Sequence, residues 1–260
     1  FADIQEAISS AESGATIELD GLYNGSGTAI TIDKNNLTII GNNAILDAQC
    51  QSRIFNITGT GVTLKNIKFI NGNATDKGGA IYWYGENGTV NNSKFTNNQA
   101  KQSGGAIYWQ GKNGTINNSI FTNNTSINGG AINWGMDVLN GAVTNCSFIN
   151  NFGKDMGGAI YFGSWCGAIN CAFINNTATE NGGAVSGYGR AENCSFINNS
   201  AKNGGAVSID NVVNCAFINN NATENGGAVY GYATVVNCSF INNSANKGGA
   251  AFIWDGWGLT

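Results

Sequence analysis

Histidine and proline are missing from this 260-residue chain, and arginine occurs only at Arg53 and Arg190. Without histidine there is no histidine triad, no histidine zinc ligand and none of the commonest general base. The lack of proline fits a backbone whose N–H groups are committed to strand ladders, where proline is excluded. Charged residues make up 11% of the chain, the net charge is −4, and no basic cluster interleaves with aromatics. A nucleic-acid partner is therefore not expected. No apolar run reaches the roughly 18 residues of a membrane-spanning helix. Aspartate-rich calcium repeats are missing too, so neither a cofactor nor a resident metal is expected. The chain opens on Phe1, without an initiating Met or a signal peptide, and reads as a mature or trimmed segment.

Asparagine (43) and glycine (38) are abundant. They fall into a phrase that occurs eight times, anchored on Phe69, Phe95, Phe121, Phe148, Phe173, Phe196, Phe217 and Phe240 and each time followed by Gly-Gly-Ala. The anchors are 21 to 27 residues apart. A short β-type phrase at that period predicts a solenoid. Asparagine fills all eight positions three residues before Phe, Asn66 to Asn237, and all eight two residues after it, Asn71 to Asn242. Both columns are expected at corners, where Asn tolerates left-handed backbone, with side-chain amides hydrogen-bonded along the axis. Gly-Gly is expected at a third corner. The positions of Leu64/Val90, of Phe, of Ile81/Ile107 and of Trp83/Trp109 are expected inside. Each coil then has three short strands, and ten coils at about 4.8 Å make a rod on the order of 50 Å long.

Five of seven cysteines, Cys146, Cys171, Cys194, Cys215 and Cys238, sit two residues before Phe, where earlier copies carry Ile67, Ser93 and Ser119. A slot shared by Ile, Ser and Cys predicts a stack of free, buried thiols rather than disulfides. Cys50 and Cys166 lie outside it. Residues 1–14 are expected to form a capping helix over the first rung, with Ile4 and Ile8 on its apolar face and a capping box from Asp3 to Glu6. The β-helix is expected over 15–260, irregular over 15–61 and regular over 62–260.

Phe-Ile-Asn-Asn alternating with Gly-Gly-Ala-Ile/Val resembles the repeats of polymorphic outer-membrane-type surface proteins. It resembles more closely the adhesin-like surface proteins of methanogenic archaea, which open like Asp3-Ile4-Gln5-Glu6-Ala7-Ile8 and continue like Asn36-Leu37-Thr38-Ile39-Ile40-Gly41. The resemblance covers nearly the whole chain. It implies an all-β, right-handed, single-stranded parallel β-helix displayed extracellularly at the cell surface.

Catalysis on this fold needs grouped carboxylates, or carboxylates with Arg or Lys. Asp47 and Asp210 are isolated, and Glu180 and Glu224 are two coils apart, so a non-enzymatic protein is expected. Two columns are candidates for recognition. Tyr82, Tyr108, Tyr161 and Tyr230 are expected on the surface, either to stack on sugar rings or simply to pair across strands. Ile149, Ile174, Ile197, Ile218 and Ile241 form an outward stripe, either an interface or plain β-propensity. Trp254 and Trp257 close an apolar C-terminal stretch that would continue or meet a partner. Asn-x-Ser/Thr occurs 17 times, with Asn73, Asn87, Asn113 and Asn221 expected in loops and open to glycosylation. The first reading is an adhesin or stalk module that binds another cell or a polysaccharide through a lateral face. The second is a subunit of a filament or surface layer that meets copies of itself or another surface protein. A polysaccharide lyase or hydrolase is third.

Overall fold

The computed structural model describes residues 1–254. Every strand pairing in it is parallel, and a column can be followed across ten rungs from Tyr23 and Leu46 through Phe69 to Phe240. The molecule is the expected parallel β-solenoid, with one short helix at the N-terminus.

Seven of the eight regular coils carry four strand segments, not three. In one coil these are Thr89–Asn91, Lys94–Thr96, Gln99–Ala100 and Ile107–Trp109. The first, second and fourth belong to a 26-stranded sheet, and the third belongs to a separate seven-stranded sheet. That third strand runs through the stretch read as a charged loop. It points Ala74, Ala100, Ser126, Ala178, Ala201 or Ala222 inward. Small residues between polar ones give no apolar alternation, so the strand has little sequence signature.

The core is a set of stacked columns. Phe69 through Phe240 stack with ring centroids 4.7–5.0 Å apart and planes within 10°. Trp83, Trp109 and Trp134 form a second, fully buried stack. Each indole lies against the glycine that opens the next face: a Cβ on Gly88, Gly114 or Gly141 would collide with Trp83, Trp109 or Trp134 respectively. Where the later coils carry Gly187 and Gly231 in place of Trp, this space is not needed.

Asn66 through Asn237 and Asn71 through Asn242 all take left-handed φ values of 48° to 59°, as corner positions should. The amide ladder, however, is not theirs. It is built by the second Asn of the doublet: Asn98, Asn124, Asn151, Asn176, Asn199, Asn220 and Asn243. From Asn98 to Asn220, each Nδ2 donates to the next rung's Oδ1 at 2.9–3.1 Å. Each also donates to the carbonyl of the Phe on the preceding rung. Along the axis, the expected columns pair only at Asn92–Asn66 and Asn237–Asn214.

The helix α1 spans Ala2–Ser10 and buries Ile4 and Ile8. Its N-cap is Phe1 with no side-chain cap, so the expected box from Asp3 to Glu6 does not form. It closes the first rung through Gln5, whose amide accepts from Thr31 N at 2.7 Å and donates to Thr31 O at 3.2 Å. One side chain thereby supplies both bonds that a neighbouring strand would make. Among the described residues no helix is long and apolar enough to cross a membrane.

Candidate functional site

The four tyrosines expected to form an exposed surface column do not share one environment. Tyr82 and Tyr108 pair at 5.0 Å, and their faces are already taken. The Arg53 guanidinium lies 5.1 Å from the Tyr82 centroid, and Lys77 Nζ lies 4.5 Å from that of Tyr108. Tyr108 is 7% exposed, and its hydroxyl donates to Gln110 Oε1 at 2.9 Å. Arg53 is itself held by Asp76, Asn56 and the carbonyl of Gly78. This end of the column is cross-strand pairing that stabilises the sheet.

The other end is open. After Tyr161 the column continues through Ser186 and Ser208 before reaching Tyr230. Beside the serines, the inward position carries Gly187, Ile209 and Gly231 where earlier coils carry Trp. Loss of bulk on successive rungs leaves a groove of about 520 Å³. Tyr161 and Tyr230 bound it along the axis, at a distance of three rungs, about 14 Å.

Three further aromatics rim this groove, and sequence reasoning passed over two of them. Tyr188 and Tyr232, two rungs apart, are 59% and 62% exposed. Trp254, one rung on, is 42% exposed and meets Tyr232 edge-on at 5.0 Å and Tyr230 at 5.2 Å. They occupy one register, the position after the inward Trp or Gly, which also holds Tyr84, Gln110 and Asp210. The signal was present, but the column is interrupted by Gly135 and Gly163, which hides it from a scan for repeated identities. Asp210 sits between Tyr188 and Tyr232 in the groove lining. Burial raises its carboxyl above the usual range, partly offset by a hydrogen bond from the Gly189 backbone. A saccharide needs flat apolar faces and a few polar groups, and here aromatic rings stand beside serine hydroxyls and one carboxylate. Trp257, the other C-terminal aromatic expected at a partner surface, lies outside the described residues.

The isoleucine stripe is in register across Ile149, Ile174, Ile197, Ile218 and Ile241. Its first four members are half-buried and only Ile241 is open, at 50%. Of the candidate glycosylation sites, Asn87 and Asn113 are exposed corner residues whose amides bond to each other at 3.0 Å. Asn73 and Asn221 belong to strands rather than loops. Among the described residues no three His, Cys, Asp or Glu gather as a metal cluster. Glu180 pairs with Lys202 at 3.1 Å.

Five stretches, 92–108, 145–163, 170–188, 193–210 and 214–232, match the Chlamydia polymorphic membrane protein repeat, together less than half of the chain. No curated protein matches the sequence. A mannuronic-acid-specific family 6 polysaccharide lyase from human gut microbiota shares the fold at a TM-score of 0.59 and 10% identity, over 94% of this chain and 74% of its own. Pectate lyase Pel9A does so at 0.56 and 15% identity, over 93% and 72%. PfbA, a surface adhesin of Streptococcus pneumoniae, covers 97% and 89% at 14% identity and a TM-score of 0.48, too loose a likeness to carry an argument. At such identities the likeness is one of fold alone. In sequence, the chain is similar to the repeats of polymorphic surface proteins over the five coil segments that match.

Proposed function

We propose that this chain is a non-enzymatic, surface-displayed module that binds polysaccharide through the groove between Tyr161 and Tyr230. The observation that carries the reading is the set of exposed rings of Tyr188, Tyr232 and Trp254 in one register around a floor of Ser186, Gly187 and Ser208. Tyr188 and Tyr232 stand two rungs apart, about 10 Å, so an extended glycan lying along the axis meets both. Ring faces supply stacking, and the serines and Asp210 accept or donate to sugar hydroxyls. The repeat match and the resemblance to adhesin-like surface proteins of methanogenic archaea support display at a cell surface.

Affinity electrophoresis through gels loaded with a panel of polysaccharides tests this. The protein should be retarded by at least one polymer, and Tyr232→Ala should weaken that binding by about tenfold, the loss of about 1.4 kcal/mol typical of an anchoring aromatic. Tyr108→Ala, at the closed end, should leave binding unchanged. Retardation by none of the polymers, or equal losses in both variants, refutes the assignment. Shortening of the polymer by clean protein would instead make the chain an enzyme.

The isoleucine stripe favours a second reading, lateral assembly with copies of this chain. Electron microscopy of concentrated protein showing ordered polymers, abolished by Ile197→Asn, would support it.

A further inference from the structure

Five thiols stand on consecutive rungs of one column. Cys146, Cys171, Cys194, Cys215 and Cys238 each precede a strand, and those strands pair in unbroken register from Ser147 to Ser239. All five are free. Each Sγ donates to the carbonyl two residues back at 3.2–3.3 Å. The N–H groups of Ser119, Cys171 and Cys215 donate to the sulfur of the following rung at 3.4 Å. These bonds fix the sulfurs in a line whose period is the strand spacing, about 4.8 Å.

That period has a coordination meaning. A cation held linearly between two thiolates needs sulfurs separated by twice a metal–sulfur bond of about 2.3 Å, or about 4.6 Å. Thiolates select soft cations such as Cu(I). Zinc prefers four ligands in a tetrahedron. Here histidine is missing from the sequence, and no three candidate ligands gather among the described residues. An open groove of about 760 Å³ runs along the column, lined by the thiols and the Asn and Ser or Ala on either side of each. Among the described residues no carboxylate lines it, so calcium and magnesium find no charged oxygen there.

We propose that the cysteine column binds soft, monovalent d10 metal cations, each held linearly between the sulfurs of adjacent rungs. Each thiol that coordinates releases its proton to solvent, and neither sulfur nor cation changes oxidation state. A sulfur shared by two such cations would have to be linear itself, which a bent thiolate bridge is not, so each thiolate serves one cation. Five thiols in a row give two separate adjacent pairs, and the column takes up to two cations.

The slot itself supplies the control. Ser93 and Ser119 occupy it on earlier rungs, buried, with Oγ donating to the carbonyl two residues back at 3.0 and 2.8 Å. Serine thus makes the same bond as the thiol, and Cys→Ser variants keep the fold. Ag(I), which needs no reductant, is the probe, titrated in chloride-free buffer and read by native mass spectrometry with circular dichroism. The parent protein carries Cys50→Ser and Cys166→Ser, because Cys50 is exposed and Cys166 lies elsewhere. It should bind up to two Ag(I) with its β signal intact. Cys194→Ser leaves two adjacent pairs and should still bind two, whereas Cys171→Ser with Cys215→Ser leaves no two thiols on adjacent rungs and should bind none. No binding by the parent, undiminished uptake in the double variant, or uptake only as the β signal is lost would each overturn the proposal. So would Zn(II) that displaces Ag(I) at equal concentration.

Discussion

Asn151→Asp will destabilise the protein by about 4 kcal/mol, although the two side chains are nearly the same shape. Asn151 stands in the middle of the buried amide ladder, and its hydrogen-bonding capacity is filled. Nδ2 donates to Phe121 O and to Asn176 Oδ1, both at 3.0 Å. Oδ1 accepts from the backbone N–H and from Nδ2 of Asn124, both at 3.0 Å. A carboxylate keeps the two accepted bonds but cannot donate. Its second oxygen is forced against two other acceptors, in a site that excludes water. Asn151→Ala removes donor and acceptor together and takes one hydrogen bond from each of four neighbouring groups, a loss of about 3 kcal/mol. The order Asp worse than Ala is the informative part, and urea unfolding at neutral pH reads it. The aspartate effect should also depend on pH. Burial among acceptors raises the folded-state pKa of the new carboxyl above its unfolded value of about 3.9. The deficit is therefore smallest below that value, where a protonated acid can donate one bond, and grows as pH rises toward the folded pKa. A midpoint equal to wild type at pH 7, or a deficit that does not shrink toward pH 3.5, would contradict this account of the ladder.

The ladder also shows where sequence reading succeeds and where it stops. Both Asn of the doublet are present in nearly every copy. The first fills all eight positions, as does the Asn three residues before Phe, and the ladder is expected in those two columns, whereas the second is interrupted by Gly72. Regularity pointed to the wrong one because the two are separated by backbone geometry rather than identity. The first takes a left-handed φ and turns the chain, so its amide faces water. The second then points inward. The columns of Phe, Val or Leu, Ile and Trp were legible because burial demands an apolar side chain at a fixed register. The alanine strand was not, since a two-residue strand facing a narrow corner needs only a small residue. The aromatic groove is a subtler case. It is made by what its coils lack, Ser186 and Gly187 where others carry Tyr-Trp, so its walls emerge only when rungs are aligned through coils of unequal length. Tyr108, whose column position suggested a surface, is covered by Lys77 from the preceding corner, a contact no periodicity encodes.

Phe148→Ala will cost about 4 kcal/mol, while the same substitution at Phe240 will cost about half as much or less. Phe148 is fully buried and stacks on Phe121 and on Phe173, each at 4.9 Å and within 8° of parallel. Its removal opens a cavity that the rungs above and below cannot close without breaking their own ladders, and it deletes two aromatic contacts. Phe240 is half-buried and stacks on one described ring, Phe217, at 5.0 Å. In a globular core such a difference would follow from burial alone. In a solenoid it has a second consequence, because each coil is coupled only to its neighbours and a weak rung divides the rod. Phe148→Ala should therefore change the shape of the unfolding curve as well as its midpoint. The coils from Phe173 onward, which lack both the tryptophan stack and the helix α1, should melt first and leave the first half folded. Hydrogen exchange followed along the chain would show protection lost beyond residue 148 at denaturant concentrations where residues 30–122 remain protected. Phe240→Ala should instead leave a single transition. If Phe148→Ala also unfolds in one step with uniform loss of protection, coupling reaches beyond adjacent coils, and the buried Asn ladder, which runs unbroken past this rung, is the element that would carry it.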